Sequence, residues 1–401
     1  MTGSRFLNIS VLIIVILCNF FCEKNSYKPE TENDIVYKNP AYSIEERTND
    51  LLARMTLDEK IGQMTQADRG ALVQESDIQT YLLGSILSGG GSSPTPNVPF
   101  IWADMVDSYQ SYALKTRLGI PLIYGIDAVH GHNNVYTAVI FPHNIGMGCT
   151  RNPELVEKAA RATAQEVAGT GIHWTFAPCI AVPRDERWGR TYEGFGETAE
   201  LTVQMAGASV RGFQGRNLAD PSSILACTKH FVGDGGTAGG DDQGDTRLDE
   251  QSLRDIHMAG YIEAIRNGVG SIMVSYNSWN GQKLHGHKYL LTTVLKGELG
   301  FNGFLVSDWA AIDQLPGDYA SDIETSINAG LDMVMVPTRY KEFITTLRSL
   351  VENQKIPVSR IDDAVRRILR IKFRLGLFEK PLADRSLTTT IGSIQHRNLA
   401  R

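Results

Sequence analysis

Cysteine is scarce in this chain of 401 residues, and its five cysteines show no paired spacing. Cys18 and Cys22 lie near the N-terminus, whereas Cys149, Cys179 and Cys227 lie far apart in apolar surroundings. This pattern disfavours a small domain held by disulfides, and it disfavours a metal site built from closely spaced thiolates. We expect the last three cysteines to be buried small apolar side chains.

The chain also lacks an excess of basic charge. It has 39 Lys and Arg residues against 45 Asp and Glu residues, for a formal net charge of −6. Binding to a nucleic acid backbone is therefore disfavoured, and a neutral or polar small molecule is the more natural partner. No Rossmann glycine fingerprint, short internal repeat or low-complexity block is evident.

The only long apolar run stands at the start of the chain. It extends from Phe6 to Phe21 after Arg5, which is short for a membrane span and typical of an export signal. We predict a signal peptide over residues 1–22, a polar tether over residues 23–34, and an exported protein, periplasmic or extracellular. Two interpretations stay open: an ordinary cleaved signal, or a lipoprotein signal that anchors the protein through Cys22.

Beyond the tether, short apolar runs alternate with segments of helical periodicity. Residues 43–64 have a helical pattern, Asn152-Pro153 is a helix start, and Ser359 is expected to cap a helix that ends near Gly376. The apolar runs lack strict alternation, as expected for strands that are buried on both faces. The seven runs are Gly84–Leu87, Pro121–Ile126, Trp174–Val182, Ile224–Phe231, Gly270–Tyr276, Gly303–Val306 and Leu331–Val336. We predict an α/β fold, a (β/α)8 TIM-barrel-like domain over residues 35–380, with its weakest strand signal before Pro121.

Polar side chains lie at or beyond the carboxyl ends of five of these runs. In a barrel of parallel strands, the carboxyl ends of the strands meet at one mouth, where active sites collect. Carboxylates, cations, an imidazole and a phenol together can bind several sugar hydroxyls, and Trp309 offers a flat face for a sugar ring. Taken alone, Asp127 and Arg190 fit a structural ion pair equally well. The residues are Asp127, Arg190, Lys229, His230, Tyr276 and Asp308.

Five sequence stretches resemble glycoside hydrolase family 3, in its β-glucosidase and exo-β-glucanase branch. They occur in the family's order over nearly the whole chain after the tether, at residues 122–133, 187–193, 229–237, 275–281 and 306–309. The resemblance implies hydrolysis of terminal non-reducing β-D-glucosyl residues from β-glucosides or β-glucan oligosaccharides, with retention and without a cofactor or a metal ion. It makes Asp308 the catalytic nucleophile, and it makes Asp127, Arg190, Lys229, His230, Tyr276 and Trp309 substrate-binding residues. Gln314 departs from the plant exo-glucanases, which carry an arginine shortly after the Asp-Trp pair, so the aglycone preference is open.

The resemblance also implies that the acid/base is a glutamate on a C-terminal α/β sandwich domain. We expect that domain to be absent from this chain, with residues 381–401 as the start of the interdomain linker. The N-acetylglucosaminidase branch places a His–Asp pair on a loop of the barrel, but the matching loop, residues 235–246, has no histidine. The chain is then a fragment, the partner of a separately encoded domain, or a non-catalytic sugar-binding barrel. A β-xylosidase or another exo-glycosidase specificity is the remaining alternative.

A metal-dependent hydrolase is disfavoured by the histidine pattern. His130 and His132 have no third ligand near them in the sequence, so we expect them to be hydrogen-bonding residues behind the pocket. Asp241, Asp242 and Asp245 lack the spacing and the final glutamate of a calcium-binding loop, which favours a solvated loop.

Overall fold

Eight short parallel strands form a closed ring in a computed structural model that describes Met1 and residues 35–401. Two hydrogen-bonded sheets make up the ring, one in the order β8-β1-β2-β3-β4 and the other in the order β7-β6-β5. Parallel bridges from Trp174 to Leu225 and from Val306 to Met333 join the sheets at both edges. The predicted (β/α)8 barrel is therefore confirmed. In chain order the strands of the ring are β1 (Thr65–Asp68), β2 (Ser85–Ser88), β3 (Ile123–Ile126), β4 (Trp174–Thr175), β5 (Cys227–Phe231), β6 (Ser271–Val274), β7 (Phe304–Val306) and β8 (Val334–Met335). A separate small sheet consists of Asp245–Thr246, Ser278–Trp279 and Gln282–Lys283.

Strands β2 to β8 lie within or overlap the seven predicted runs, and all of their residues are buried. The eighth strand, β1, was not predicted because its sequence, Thr-Gln-Ala-Asp, is mostly polar. Two of its polar side chains are buried and hydrogen-bonded: Thr65 Oγ1 donates to the Ile61 carbonyl, and Gln66 Nε2 donates to Ser85 Oγ. A buried polar strand gives no apolar run, so periodicity alone misses it.

Helices connect successive strands and surround the ring. The predicted helix over residues 43–64 is wrong as a single element, because the structure breaks it at Met55 and restarts it with a capping box of Thr56 and Glu59. Asn152 caps its helix as predicted, but Pro357, and not Ser359, precedes the later one. The helices are Ile44–Arg54, Leu57–Gln63, Asp77–Thr80, Pro99–Leu114, Asn144–Cys149, Pro153–Ala168, Ala199–Gln214, Glu250–Ser252, Leu253–Met258 and Tyr289–Glu298 (both π-helical), Ala259–Arg266, Tyr319–Ala329, Tyr340–Glu352, Val358–Arg374, Arg385–Thr388 and Ile394–Ala400.

A buried lysine connects the outer layer to the base of the ring. Lys372, on the helix Val358–Arg374, is fully buried, and its ammonium donates to Gln63 Oε1 at 2.6 Å, to the Gly84 carbonyl at 2.8 Å and to the Pro121 carbonyl at 2.7 Å. These acceptors lie just before β1, β2 and β3. Lys372 therefore fixes the entry points of three strands with the three donors of one ammonium group.

Residues 381–401 pack on the outside of the barrel. Arg385 bonds to Asp107, and His396 Nδ1 lies 2.8 Å from Glu166 Oε1. Cys179 and Cys227 are buried as expected, whereas Cys149 is exposed, contrary to expectation. The signal, the tether and Cys22 lie outside the described residues. No helix within residues 35–401 is long and apolar enough to cross a lipid bilayer.

Candidate active site

The polar residues predicted at the strand ends form one contact network at the mouth of the barrel. Lys229 Nζ lies 2.9 Å from Asp127 Oδ1, which joins the ends of β5 and β3. His230 Nε2 lies 2.9 Å from Arg190 Nη2 and 3.7 Å from Asp308 Oδ2. The Tyr276 hydroxyl donates to the Trp309 carbonyl, which joins the segments after β6 and β7. All seven predicted residues therefore occur in contacts within this network.

Asp308 lies directly beyond the end of β7, and its side chain is only 13% exposed. Its Oδ1 accepts the Trp309 backbone N–H at 2.7 Å, while its buried Oδ2 has no hydrogen-bond partner within residues 35–401. Burial raises the pKa of Asp308 to about 6, against the opposing effects of the Trp309 N–H and of the Lys229 and Arg190 cations. A carboxylate of this kind is ionised at neutral pH and keeps one oxygen available for another group.

Two cations are held beside this carboxylate by ion pairs of their own. Lys229 is 5% exposed, and although burial lowers its pKa, the carboxylates of Asp127 and Glu193 outweigh burial and raise it. Arg190 makes a bidentate pair with Glu193, at 2.7 and 3.0 Å. Asp127 and Arg190 are therefore not the structural ion pair of the alternative interpretation, because each has a different partner.

His230 is buried between Arg190 and Asp234. Its Nδ1 lies 2.8 Å from Asp234 Oδ2, and burial together with the neighbouring Arg190 and Lys229 cations lowers its pKa well below the usual value. The imidazole is therefore neutral at physiological pH. Both of its ring nitrogens are hydrogen-bonded within the network, Nδ1 to Asp234 and Nε2 to Arg190.

Trp309 and Tyr276 form the outer part of the network. The Trp309 side chain is 41% exposed, and a Cβ placed on Gly89 would lie 2.7 Å from its ring atom Cζ3. A glycine at the end of β2 therefore leaves room for the indole. Burial and the nearby Asp308 carboxylate raise the pKa of Tyr276, so the phenol stays a neutral donor.

A rim of loops lies beyond Trp309. Lys283 Nζ donates to Gln314 Oε1 at 2.9 Å and to the Tyr276 carbonyl at 2.8 Å, and Gln314 donates to Gln243 Oε1 at 2.7 Å. Gln314, the position at which the sequence departs from plant exo-glucanases, is therefore part of a hydrogen-bonded rim that adjoins Tyr276.

The loop aspartates make ordinary structural contacts. Asp242 accepts from the Trp188 indole N–H at 3.0 Å, and Asp245 accepts from the Gly281 N–H at 2.8 Å and pairs with Arg247. His130 Nδ1 lies 2.7 Å from the Phe141 carbonyl, and His132 Nε2 lies 2.9 Å from Thr170 Oγ1.

Sequence reasoning missed three residues of the network. Glu193 and Asp234 lie inside the motif stretches at residues 187–193 and 229–237, so the motifs contained a signal for both. His285 accepts the Asp308 backbone N–H at 3.2 Å through Nε2, and no motif around it indicated that role. Its contribution depends on a contact between residues 23 positions apart in the chain.

The network is suited to binding a polyhydroxylated ring beside a carboxylate. Carboxylate, ammonium, guanidinium and phenol groups can each bond to a different hydroxyl. The other three carboxylates of the network are engaged: Asp127 by Lys229, Glu193 by Arg190, and Asp234 by His230. Asp308 is the carboxylate of the network that has a buried oxygen without a hydrogen-bond partner within residues 35–401.

Comparisons with known proteins agree with this geometry. Residues 56–371 match the model of the glycosyl hydrolase family 3 N-terminal domain. The lysosomal beta glucosidase of Dictyostelium discoideum is 36% identical over 88% of this chain and 46% of its own length. The periplasmic beta-glucosidase of Salmonella typhimurium is 33% identical over 83% of this chain and 42% of its own length.

A solved structure gives the same result. The crystal structure of an exo-1,3/1,4-beta-glucanase from a Pseudoalteromonas species is similar with a TM-score of 0.85 and 44% identity, covering 90% of this chain and 47% of that one. The chain spans about half the length of these relatives. The family match covers most of the barrel and includes every residue of the network. The chain therefore belongs to glycosyl hydrolase family 3.

Proposed function

We propose that this chain supplies the sugar pocket and the nucleophile of a retaining β-glucosidase or exo-β-glucanase. The observation that carries the proposal is the Asp308 carboxylate, which is buried, bonded at one oxygen by the Trp309 N–H, and without a hydrogen-bond partner at the other within residues 35–401. The substrates would be β-glucosides and β-glucan oligosaccharides with a terminal non-reducing glucose.

In the first step, Asp308 Oδ2 would attack the anomeric carbon of that glucose. The bond to the leaving oxygen breaks, the leaving oxygen takes a proton from an acid, and a glycosyl-enzyme ester forms on Asp308. In the second step, water attacks the same carbon, gives up a proton to the base, and releases glucose and the Asp308 carboxylate. The Trp309 N–H, which bonds to Oδ1, would hold the carboxylate in one orientation during both steps.

The remaining pocket residues would bind and orient the sugar. Asp127 and Lys229 present a carboxylate and an ammonium group side by side, which can accept from and donate to adjacent hydroxyls. Arg190 and Tyr276 would supply further hydrogen bonds, and His230 would line the site while it holds Arg190 in place. The exposed face of Trp309 would pack on the ring that follows the scissile bond.

The acid/base would come from outside this chain. A retaining mechanism needs a second carboxyl about 5–5.5 Å from the nucleophile, and the three other carboxylates of the network are each engaged by a cation or by the His230 imidazole. We assign the role to a glutamate of a C-terminal α/β domain, as the family resemblance implies. We also propose export, since the leader has the composition of a signal and one relative is named periplasmic.

Calorimetry and a pair of substrates test this proposal. The purified chain should bind glucose with a millimolar Kd, near −4 kcal/mol, because every pocket residue lies in this barrel. It should release dinitrophenolate from 2,4-dinitrophenyl β-D-glucoside while leaving cellobiose nearly untouched, because only the sugar alcohol needs a proton from the acid.

An Asp127→Asn variant should lose glucose binding, while Asp58→Asn, in an ion pair with Arg348, should keep it. Glucose binding without release of dinitrophenolate would indicate a non-catalytic sugar-binding barrel. Absence of glucose binding at saturating sugar would contradict the assigned pocket.

A further inference from the structure

We infer that Asp234 is a positioning residue for the chemistry at Asp308: its carboxylate fixes the tautomer and orientation of His230, and through His230 the guanidinium of Arg190. The inference deepens the proposed function and rests on it for its kinetic consequence. Its structural part stands on the hydrogen bonds of His230 alone.

Only one tautomer of His230 fits its neighbours. Arg190 Nη2 lies 2.9 Å from Nε2, and a guanidinium can only donate, so Nε2 must be the acceptor. The ring proton of the neutral imidazole then lies on Nδ1, and Nδ1 donates to Asp234 Oδ2 at 2.8 Å. Asp234 must therefore accept at Oδ2, which an ionised carboxylate does well.

The chain of contacts runs from a buried position to the reacting atom. Asp234 is 8% exposed and bonds to His230, His230 bonds to Arg190, and Arg190 also makes a bidentate pair with Glu193. The same Nε2 of His230 lies 3.7 Å from the unpartnered Oδ2 of Asp308. Because His230 contacts both Arg190 and Asp308, the orientation of its ring affects where the Arg190 guanidinium lies relative to the Asp308 carboxylate.

Without Asp234, a proton on Nδ1 would be a buried donor without its acceptor, and only the Arg190 contact at Nε2 would still favour it. The other tautomer places an N–H on Nε2, where it faces the N–H of Arg190, and two donors at 2.9 Å repel. The imidazole would then rotate or the guanidinium would move away. Either change displaces a group that borders Asp308.

The surroundings of Asp234 fit this role. Arg190, Glu193 and Cys179 face it from the segment that follows β4, His230 from β5, and Tyr261 from the helix Ala259–Arg266. Burial raises the pKa of Asp234 to about 7, against the opposing effect of the Arg190 cation.

Cys179, His230 and Asp234 also present ligand-type atoms within 4.8 Å of one another. A metal ion there would compete with Arg190 and Lys229 for the same anionic charge, and it would displace the proton shared by His230 and Asp234. The hydrogen bond is therefore the better account of this cluster.

The tautomer can be measured directly. In chain labelled with 15N-histidine, long-range 15N–1H correlations should show the Nδ1–H form for His230, assigned by its loss in His230→Gln. Asp234→Ala should shift the signals to a mixture or to the Nε2–H form. Asp234→Asn, whose amide oxygen can still accept, should retain the Nδ1–H form. Asp77→Ala removes a different buried carboxylate, bonded to Tyr340, and should change nothing.

The kinetic arm uses formation of the glycosyl-enzyme from 2,4-dinitrophenyl β-D-glucoside. Asp234→Ala should slow it about tenfold or more, in line with the loss of other orienting partners, and Asp234→Asn should restore most of the rate. If Asp234→Ala does not fold, Asp234→Ser, which is too short to reach Nδ1, replaces it.

If His230 keeps the Nδ1–H form in Asp234→Ala or Asp234→Ser, the inference is overturned. It is also overturned if the tautomer changes in such a variant but the rate of glycosyl-enzyme formation does not. If the native chain forms no glycosyl-enzyme, the proposed function has failed and the tautomer measurement decides the positioning claim by itself.

Discussion

The rate of glycosyl-enzyme formation should fall at acidic pH, and the pH at which it falls depends on the environment of Asp308. The nucleophile must be ionised to attack, and burial raises its pKa to about 6. A group with a raised pKa loses its charge as the pH falls through that value, so the rate should fall in the same range. With this pKa, roughly 90% of the carboxylate is ionised at pH 7 and roughly 10% at pH 5. A carboxyl with the ordinary pKa of about 3.9 would remain more than about 90% ionised at pH 5.

The structure therefore predicts an approximately tenfold loss of rate between pH 7 and pH 5. Stopped-flow release of dinitrophenolate measures this without a contribution from the acid/base, because the leaving group needs no proton. In Lys229→Met the rate should begin to fall at a higher pH, since the Lys229 cation lowers the pKa of Asp308. A rate that stays flat down to pH 5, in a chain that remains folded by circular dichroism, would refute the assigned burial and charge balance.

Three further changes have expected outcomes. Gly89→Ala places a Cβ 2.7 Å from the Trp309 ring, which is about 0.8 Å closer than normal carbon contact, so KM for aryl glucosides should rise several-fold. Gly90→Ala, where a Cβ meets nothing within 4 Å, should leave KM unchanged. Equal KM values for the two variants would refute the packing of Trp309 against Gly89. Lys372→Met leaves three buried acceptors without their donor and should lower the free energy of unfolding by about 1–3 kcal/mol in urea titrations. Lys355→Met, at an exposed position, should change it little. Equal unfolding midpoints for the two variants would contradict the role of Lys372 in holding the three strands. Glucosides should label the chain faster than the matching xylosides, and the reverse order in the same assay would support the β-xylosidase alternative.

The barrel could be predicted from the sequence because most of its strands are apolar runs. Runs such as Phe304–Val306 and Ser271–Val274 are buried on both faces, and burial on both faces requires apolar residues. Strand β1 escaped because its interior contacts are hydrogen bonds from Gln66 and Thr65, which look like loop residues in a sequence.

The pocket residues were predictable where a motif at a strand end names them, as with Lys229, His230 and Asp308. The pairings within the pocket were not predictable. Which cation faces which carboxylate depends on contacts such as Lys229 with Asp127, over 102 residues of chain. Asp234 is only four positions from His230 in the sequence. Its role nevertheless could not be inferred without knowing that Arg190 contacts the other ring nitrogen of His230.

The identity of the nucleophile is tested most directly by mass spectrometry of the chain after reaction with 2,4-dinitrophenyl β-D-glucoside. We predict that the intact chain gains the mass of one glucosyl group, that peptide fragmentation places it on Asp308, and that Asp308→Asn stays unlabelled while Asp313→Asn labels normally. A glucosyl group on any other carboxylate would contradict the assignment. Rapid turnover of cellobiose by the purified chain would show that the barrel carries its own acid, with Asp241, Asp242 and Asp245 as the first residues to examine.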